Sequence, residues 1–240
     1  MHPRRRRTRV TAPADILVTA GPTQEPIDAV RFIGNRSSGR MGIAIAEAFA
    51  AKGHRVRLLL GPTLLEPSDP AVSVERFRTA EDLRRLLQSH IGSTDLLVMA
   101  AAVADFRPTS PVGPMIKLER GGDLLVRLEA VPDLLAETAD LVRDRVPPPL
   151  RIGFALEEAA RLDERARSKL RRKQLDAIVA NPLETMDAPD IGGVLLLADG
   201  TVRSPGPAPI AKGAFARWLV EELESLLRGR DLHAPTPDSR

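Results

Sequence analysis

The chain contains no cysteine and no tyrosine, and aromatic residues make up 3% of it. Without thiols there is no disulfide, no thiolate nucleophile and no cysteine-ligated metal. Imidazole is also scarce. The histidines are His2, His54, His90 and His233, and no two of them stand at the spacing of a zinc pair on one helix turn. No metal site built from protein ligands is therefore expected. So few aromatics leave few platforms on which nucleic-acid bases could stack. The formal net charge of +3 owes much to the run Arg4, Arg5, Arg6 and Arg7, which reads as a solvated tail. No nucleic-acid partner is expected. Long hydrophobic runs are missing too: nothing approaches the length that crosses a bilayer, and no signal-peptide core follows the arginines. No membrane partner is expected, and the expected compartment is the cytoplasm.

What is present is a chain of 240 residues, 43% hydrophobic and 28% charged, enough for one large core or two small ones, with its length favouring one domain. The expected organisation is a basic tail over 1–13, a single domain over 14–228 and a polar tail over 229–240. Basic residues are overwhelmingly arginine, and the lysines are Lys52, Lys117, Lys169, Lys173 and Lys212. An ammonium and a guanidinium are not interchangeable, so each lysine kept in such a chain is a candidate for a lysine-specific task.

Apolar runs and helical spacings alternate along the chain. Asp15 to Ala20 reads as a buried strand that runs into the turn signal Gly21-Pro22, Met41 to Ala51 as a helix, and Arg55 to Leu60 as a second strand. Thr79 to His90 has helical spacing with Thr79 as its cap, and Asp95 to Ala102 is a third strand. In the second half Leu124 to Leu128 is strand-like and Pro132 to Val146 helical. Arg151 to Ala155 is a strand, Glu157 to Lys173 a charged helix and Asp176 to Ala180 another strand. Gly193 to Arg203 reads as a hairpin turning at Asp199-Gly200, and Pro209 to Leu227 as a last helix. Continuous apolar strands argue for a parallel sheet covered on both faces. The expected fold class is α/β: a Rossmann-like, doubly wound, mostly parallel sheet with a small hairpin-bearing extension. Ligands of such sheets sit beyond the carboxyl ends of the strands, so chemistry is expected in the loops after Ala20, Leu60, Ala102, Ala155 and Ala180.

Three segments stand out. Gly34 to Gly42, GNRSSGRMG, places small residues directly before a helix, where free backbone N–H groups and the helix dipole favour an anion. It is not a P-loop, because Arg40 and Met41 stand where Lys and Ser or Thr are required. On spacing alone it is either a phosphate or carboxylate site or an ordinary glycine-rich helix entry. Ala100 to Pro108, AAAVADFRP, ends a strand with small side chains that let a flat ligand approach, followed by Asp105. That acid suits a base or sugar, and equally a helix cap or an ion pair with Arg107. Lys169 and Lys173 share one helix face, which suits a polyphosphate; with Arg171 and Arg172 between them, a solvated basic helix end fits the same pattern.

Five blocks in order carry a resemblance: ILVTAGPTQEPIDAVRFIGNRSSGRMG (Ile16 to Gly42), AAVADFRP (Ala101 to Pro108), PDLLA (Pro132 to Ala136), GFALE (Gly153 to Glu157) and ARSKLRRKQLDAIVAN (Ala166 to Asn181). Together they resemble phosphopantothenoylcysteine synthetase, the ligase half of the bifunctional bacterial coenzyme A enzyme. The resemblance implies a ligase that activates 4′-phosphopantothenate with CTP, or with ATP in a variant, and couples it to cysteine. It implies Mg²⁺ carried mainly by phosphates and water, a homodimer, and a separate phosphopantothenoylcysteine decarboxylase as partner. By the same resemblance Asn35 steadies the acyl intermediate, and Gly21, Arg36, Ser37, Ser38, Gly39, Met41 and Gly42 hold the anionic substrate. Ala101, Ala102 and Asp105 meet the nucleotide, Pro132, Asp133, Leu134 and Phe154 form the base pocket, and Lys169 and Lys173 bind the triphosphate.

The chain departs from the family where Lys-Ile-Lys usually follows the proline-rich loop: here Met115-Ile116-Lys117 stands. Removing a cation from the reacting phosphate raises a barrier, and Lys117 becomes the candidate catalytic lysine, since alternate residues of a strand face the same way. Arg107 and Arg120 are weaker substitutes. Val131 and Gly193 replace family asparagines. Two further readings remain: a paralogue that binds without turnover, and a nicotinamide oxidoreductase, which the missing glycine turn and missing tyrosine disfavour.

Overall fold

Strand β1 (Asp15–Ala20) shows why the molecule is layered. Successive side chains of a strand point to opposite faces, so Ile16, Val18 and Ala20 enter one core cluster and Leu17 the other. The computed structural model describes residues 12–110, 123–186 and 188–231. After β1 come β2 (Arg55–Leu60), β3 (Val72–Arg76), β4 (Leu96–Met99), β5 (Leu150–Glu157), β6 (Ala177–Pro182), β7 (Val194–Leu197) and β8 (Val202–Arg203). Their order across the sheet is β8-β7-β6-β5-β4-β1-β2-β3. Strands β1 to β6 pair in parallel, and β7 and β8 add an antiparallel edge. This is the doubly wound order expected of a Rossmann-like sheet. The hairpin β7–β8 extends that same sheet.

The first core lies under helices α1 (Arg40–Ala51) and, from the far end of the chain, α5 (Lys212–Asp231). Their Phe49 and Phe215 are fully buried there, each contributing about 2–3 kcal/mol of burial. On the opposite face lie α2 (Ala80–His90), α3 (Leu134–Leu141) and α4 (Leu162–Arg172), through Leu83, Leu87, Leu135, Ala166 and Leu170. Helix α2 starts where its sequence says it should: Thr79 accepts from the Asp82 N–H at 3.1 Å while Asp82 accepts from the Thr79 N–H at 2.9 Å, a capping box.

Several boundaries differ from the sequence reading. Glu157, expected to open a helix, is instead the last residue of β5, in register with Pro182 of β6. Helix α3 stops at Leu141, short of the expected Val146; the turn beyond it brings Arg145 to Asp95 at 3.0 Å, tying the chain back to the start of β4. Helix α5 runs past Leu227 and through the expected start of the polar tail, to Asp231. Strand β3 went unrecognised because it is a half-exposed edge strand that carries Glu75 and Arg76. Met115, Lys117 and Arg120 lie outside the described residues.

Candidate active site

The chain leaves β1 towards β2 and β3 and returns to β4 on the other side of β1, so the crevice of this sheet opens above β1 and β4. There the two following loops are stitched together. The Ala101 N–H donates to Thr19 Oγ1 at 3.1 Å, the Ala102 N–H to the Gly21 carbonyl at 2.9 Å, and the Ala104 N–H to Thr23 Oγ1 at 2.9 Å. With no bulky side chain from Ala100 to Ala102, the backbone itself forms the floor. Asn35 Nδ2 donates to the Val103 carbonyl at 2.8 Å, which docks the Gly34–Gly39 loop on the same floor.

Helix α1 begins on the rim of this floor. Its N-cap is Gly39, at φ 73°, and among the described residues its first turn has neither a capping side chain nor an acid. Gly42 lets it approach: a Cβ there would lie 2.5 Å from Ala20 Cβ and 2.9 Å from the Thr19 carbonyl oxygen. The helix mouth is therefore pressed onto the end of β1, with amide groups aimed at the crevice.

A cleft of about 850 Å³ results. Asn35, Arg36, Ser37, Ser38, Gly39, Met41 and Gly42 line one side, and Ala101, Ala102 and Asp105 the floor. Pro132, Asp133, Leu134, Phe154, Lys169 and Lys173 line the far side. Gly21, expected among the anion-holding residues, does not line it. At φ 79° it makes the turn out of β1, and a Cβ on it would meet Gly61 N and O at 3.2 Å, so it faces the end of β2. Its part is to let its carbonyl reach Ala102.

Both expected lysines are held by carboxylates. Lys169 Nζ donates to Glu157 Oε1 at 2.8 Å, and Lys173 Nζ lies 2.9 Å from Asp133 Oδ1, the oxygen that also caps α3 by accepting from the Ala136 N–H.

Residues 11–226 match the DNA/pantothenate metabolism flavoprotein C-terminal domain family. The chain belongs to that family. It is 40% identical over 224 residues to the coenzyme A biosynthesis bifunctional protein CoaBC of Mycobacterium bovis (strain ATCC BAA-935 / AF2122/97), covering 89% of this chain and 53% of the relative. A protein named cysteine/cysteine sulfinic acid decarboxylase, from an unknown prokaryotic organism, is 43% identical over 170 residues, or 70% of this chain and 46% of its own. The chain thus spans about half the length of these relatives. The crystal structure of the C-terminal domain of a CoaBC protein superimposes with a TM-score of 0.75 at 32% identity, over 92% of this chain and 100% of that one.

On this family scaffold the cleft holds residues that sequence reasoning passed over. Arg172 lines it beside the lysines. Across from them Asn181 Nδ2 donates to Thr185 Oγ1 at 3.0 Å, and Lys212 Nζ, at the start of α5, donates to the Thr185 carbonyl at 3.2 Å. The scarcity of lysine was the signal that could have marked Lys212.

Glu157 is nearly buried and also accepts from Arg165 Nη1 at 2.7 Å. Burial pushes its carboxyl up, but the hydrogen bonds from Lys169 and Arg165 outweigh burial and leave it below its ordinary 4.5. An acid held below its unfolded value adds stability above that value, and the gain is lost as the pH falls through the folded one. The stability difference between wild type and Glu157→Gln, read from urea midpoints, should therefore be constant near neutrality and shrink below about pH 4.5. A difference that grew with acidification would contradict this pairing.

Proposed function

We propose that the chain is a phosphopantothenate–cysteine ligase of coenzyme A biosynthesis, using CTP to activate 4′-phosphopantothenate. One observation carries the reading: a helix mouth, a floor of small residues ending in Asp105, and two lysines from a distant helix converge on one cleft. Family membership and the coenzyme A biosynthesis relative support it; since the chain spans about half of each named relative, neither whole-protein name transfers by itself.

In the first step a carboxylate oxygen of phosphopantothenate bonds to the α-phosphorus as its bond to the pyrophosphate oxygen breaks. In the second, the cysteine nitrogen bonds to the acyl carbon as the bond from that carbon to the phosphate oxygen breaks, CMP leaves with the oxygen, and the amine loses a proton. Asn35 spends one Nδ2 hydrogen on Val103, which leaves the other and its carbonyl oxygen to steady the acyl group. The α1 amides, Lys169 and Lys173 face phosphate charge, and Asp105 accepts hydrogen bonds from the nucleoside. Among the described residues no three acidic or imidazole side chains gather as a metal site. Asp105 is an exposed oxygen donor in the cleft, which suits Mg²⁺ held otherwise by phosphate and water. Bound there, the ion supplies charge neutralisation. The short ladders bearing Phe32 and Phe106 pack together and leave both rings, with Val30 and Leu128, exposed, which supports a homodimer.

The test is pyrophosphate release from CTP and, separately, ATP, with and without cysteine. Release that requires 4′-phosphopantothenate is expected; none with either nucleotide would defeat the reading. Met115 favours a second reading, binding without turnover. It expects CTP affinity but no product, and Met115→Lys should then create activity, by about 10²-fold or more over background. Ordinary turnover by the wild type would end it.

A further inference from the structure

Each of the two lysines is paired with a carboxylate, and the two pairs differ in construction. Glu157 ends a central strand, its side chain is 10% exposed, and it binds two cations at once, Lys169 and Arg165. Asp133 lies on the cleft wall, its side chain is 39% exposed, and its contacts are the α3 cap and Lys173.

We infer that Glu157 is a positioning residue that keeps Lys169 on the cleft wall throughout binding, whereas Asp133 is a resident counter-ion that nucleotide phosphate displaces from Lys173. The inference rests on the reading of the cleft as a nucleoside triphosphate site. Glu157 need not give way when phosphate reaches Lys169, because Arg165 holds it from the other side and the carboxylate stays a fixed anchor for the ammonium. Its hydrogen bond from Lys169 restrains that flexible side chain, so less freedom is lost when phosphate arrives. Without Glu157, Lys169 and Arg165 become adjacent like charges and separate. Asp133 is the reverse case. Its capping bond keeps it in place while Lys173, on its flexible stem, is free to swing to a phosphate. The pair is single and only partly exposed, with Lys173 at 18% and Asp133 at 39%, so it lacks the second cation that fixes Glu157, and phosphate competes with Asp133 for the same ammonium. Such an arrangement also favours product release, since Asp133 is on hand to reclaim Lys173 when pyrophosphate leaves.

Removing the two carboxylates should therefore shift nucleotide affinity in opposite directions. Asp133→Asn keeps the helix cap, because asparagine caps as well as aspartate, and deletes the competing charge. By titration calorimetry it should bind CTP about two- to fivefold more tightly than wild type. Glu157→Gln should bind it on the order of tenfold more weakly. In a Lys169→Met background, Glu157→Gln should change affinity by less than about twofold, because its effect runs through that lysine. A purely structural role for Glu157 would leave its penalty intact in the double variant, and mere charge repulsion would make both single variants tighten; either result overturns the inference. Wild type that binds neither CTP nor ATP would instead defeat the functional reading, and the inference with it. A far-ultraviolet melt of each variant shows whether a loss of affinity is a loss of fold.

Discussion

Replacing Lys169 and Lys173 together with methionine should lower kcat/KM for the nucleotide by about 10³-fold, or about 4 kcal/mol of transition-state stabilisation. Loss of the two cations, which act on the same phosphates as a unit and so are not additive, accounts for about 10²-fold of this. The rest comes from what is left behind. Glu157 retains Arg165, but Asp133 has no second cation among its described contacts and would present bare negative charge to the triphosphate. Each single variant should therefore lose more than a surface lysine does, and arginine should restore charge without restoring geometry. Steady-state kinetics with varied CTP checks this. A double variant within about fivefold of wild type would mean that the basic end of α4 is solvated and does not touch the nucleotide.

Gly42→Ala should lower stability even though alanine is the better helix former. In an exposed helix interior the exchange gains about 1 kcal/mol. Here the added methyl would sit 2.5 Å from Ala20 Cβ and 2.9 Å from the Thr19 carbonyl, both in the rigid end of a central strand. Overpacking of this kind costs about 1–3 kcal/mol, and the contacts at this site belong at the upper end, for a net loss of about 2 kcal/mol. In a domain of this size that is a melting temperature lower by roughly 4–8 °C. Helix α1 must move away from β1 to accept the methyl, taking the anion-facing amides with it, so CTP affinity should fall as well. A variant as stable as wild type, with unchanged affinity, would mean that α1 does not approach β1 this closely.

Local patterns made much of the fold legible. The strands β1, β2, β4, β5 and β6 are short apolar runs ended by turn residues, and α2 carries its capping box in plain sight. The Gly34–Gly42 segment was recognisable because its chemistry is local: small residues, a helix start and free amides in nine consecutive positions. Gly21 was legible only as a turn, for the same reason. A glycine after β1 signals a turn, but which way the turn faces is set by the β2 loop packed against it. Glu157 misled because its charge looked like the start of the charged helix, whereas pairing with β6 keeps it in the strand.

By itself the sequence determined the α/β alternation, the family and the residue types available for phosphate chemistry, because hydrophobic periodicity, turn residues and contiguous motifs are properties of neighbours along the chain. Only the tertiary structure decided that α4, α5 and the end of β6 bring Lys169, Lys173, Lys212 and Asn181 to the same cleft as Asn35, and which carboxylate holds which lysine. Those are contacts between residues far apart in the chain, and they exist because a twisted parallel sheet carries the carboxyl ends of its strands to one edge.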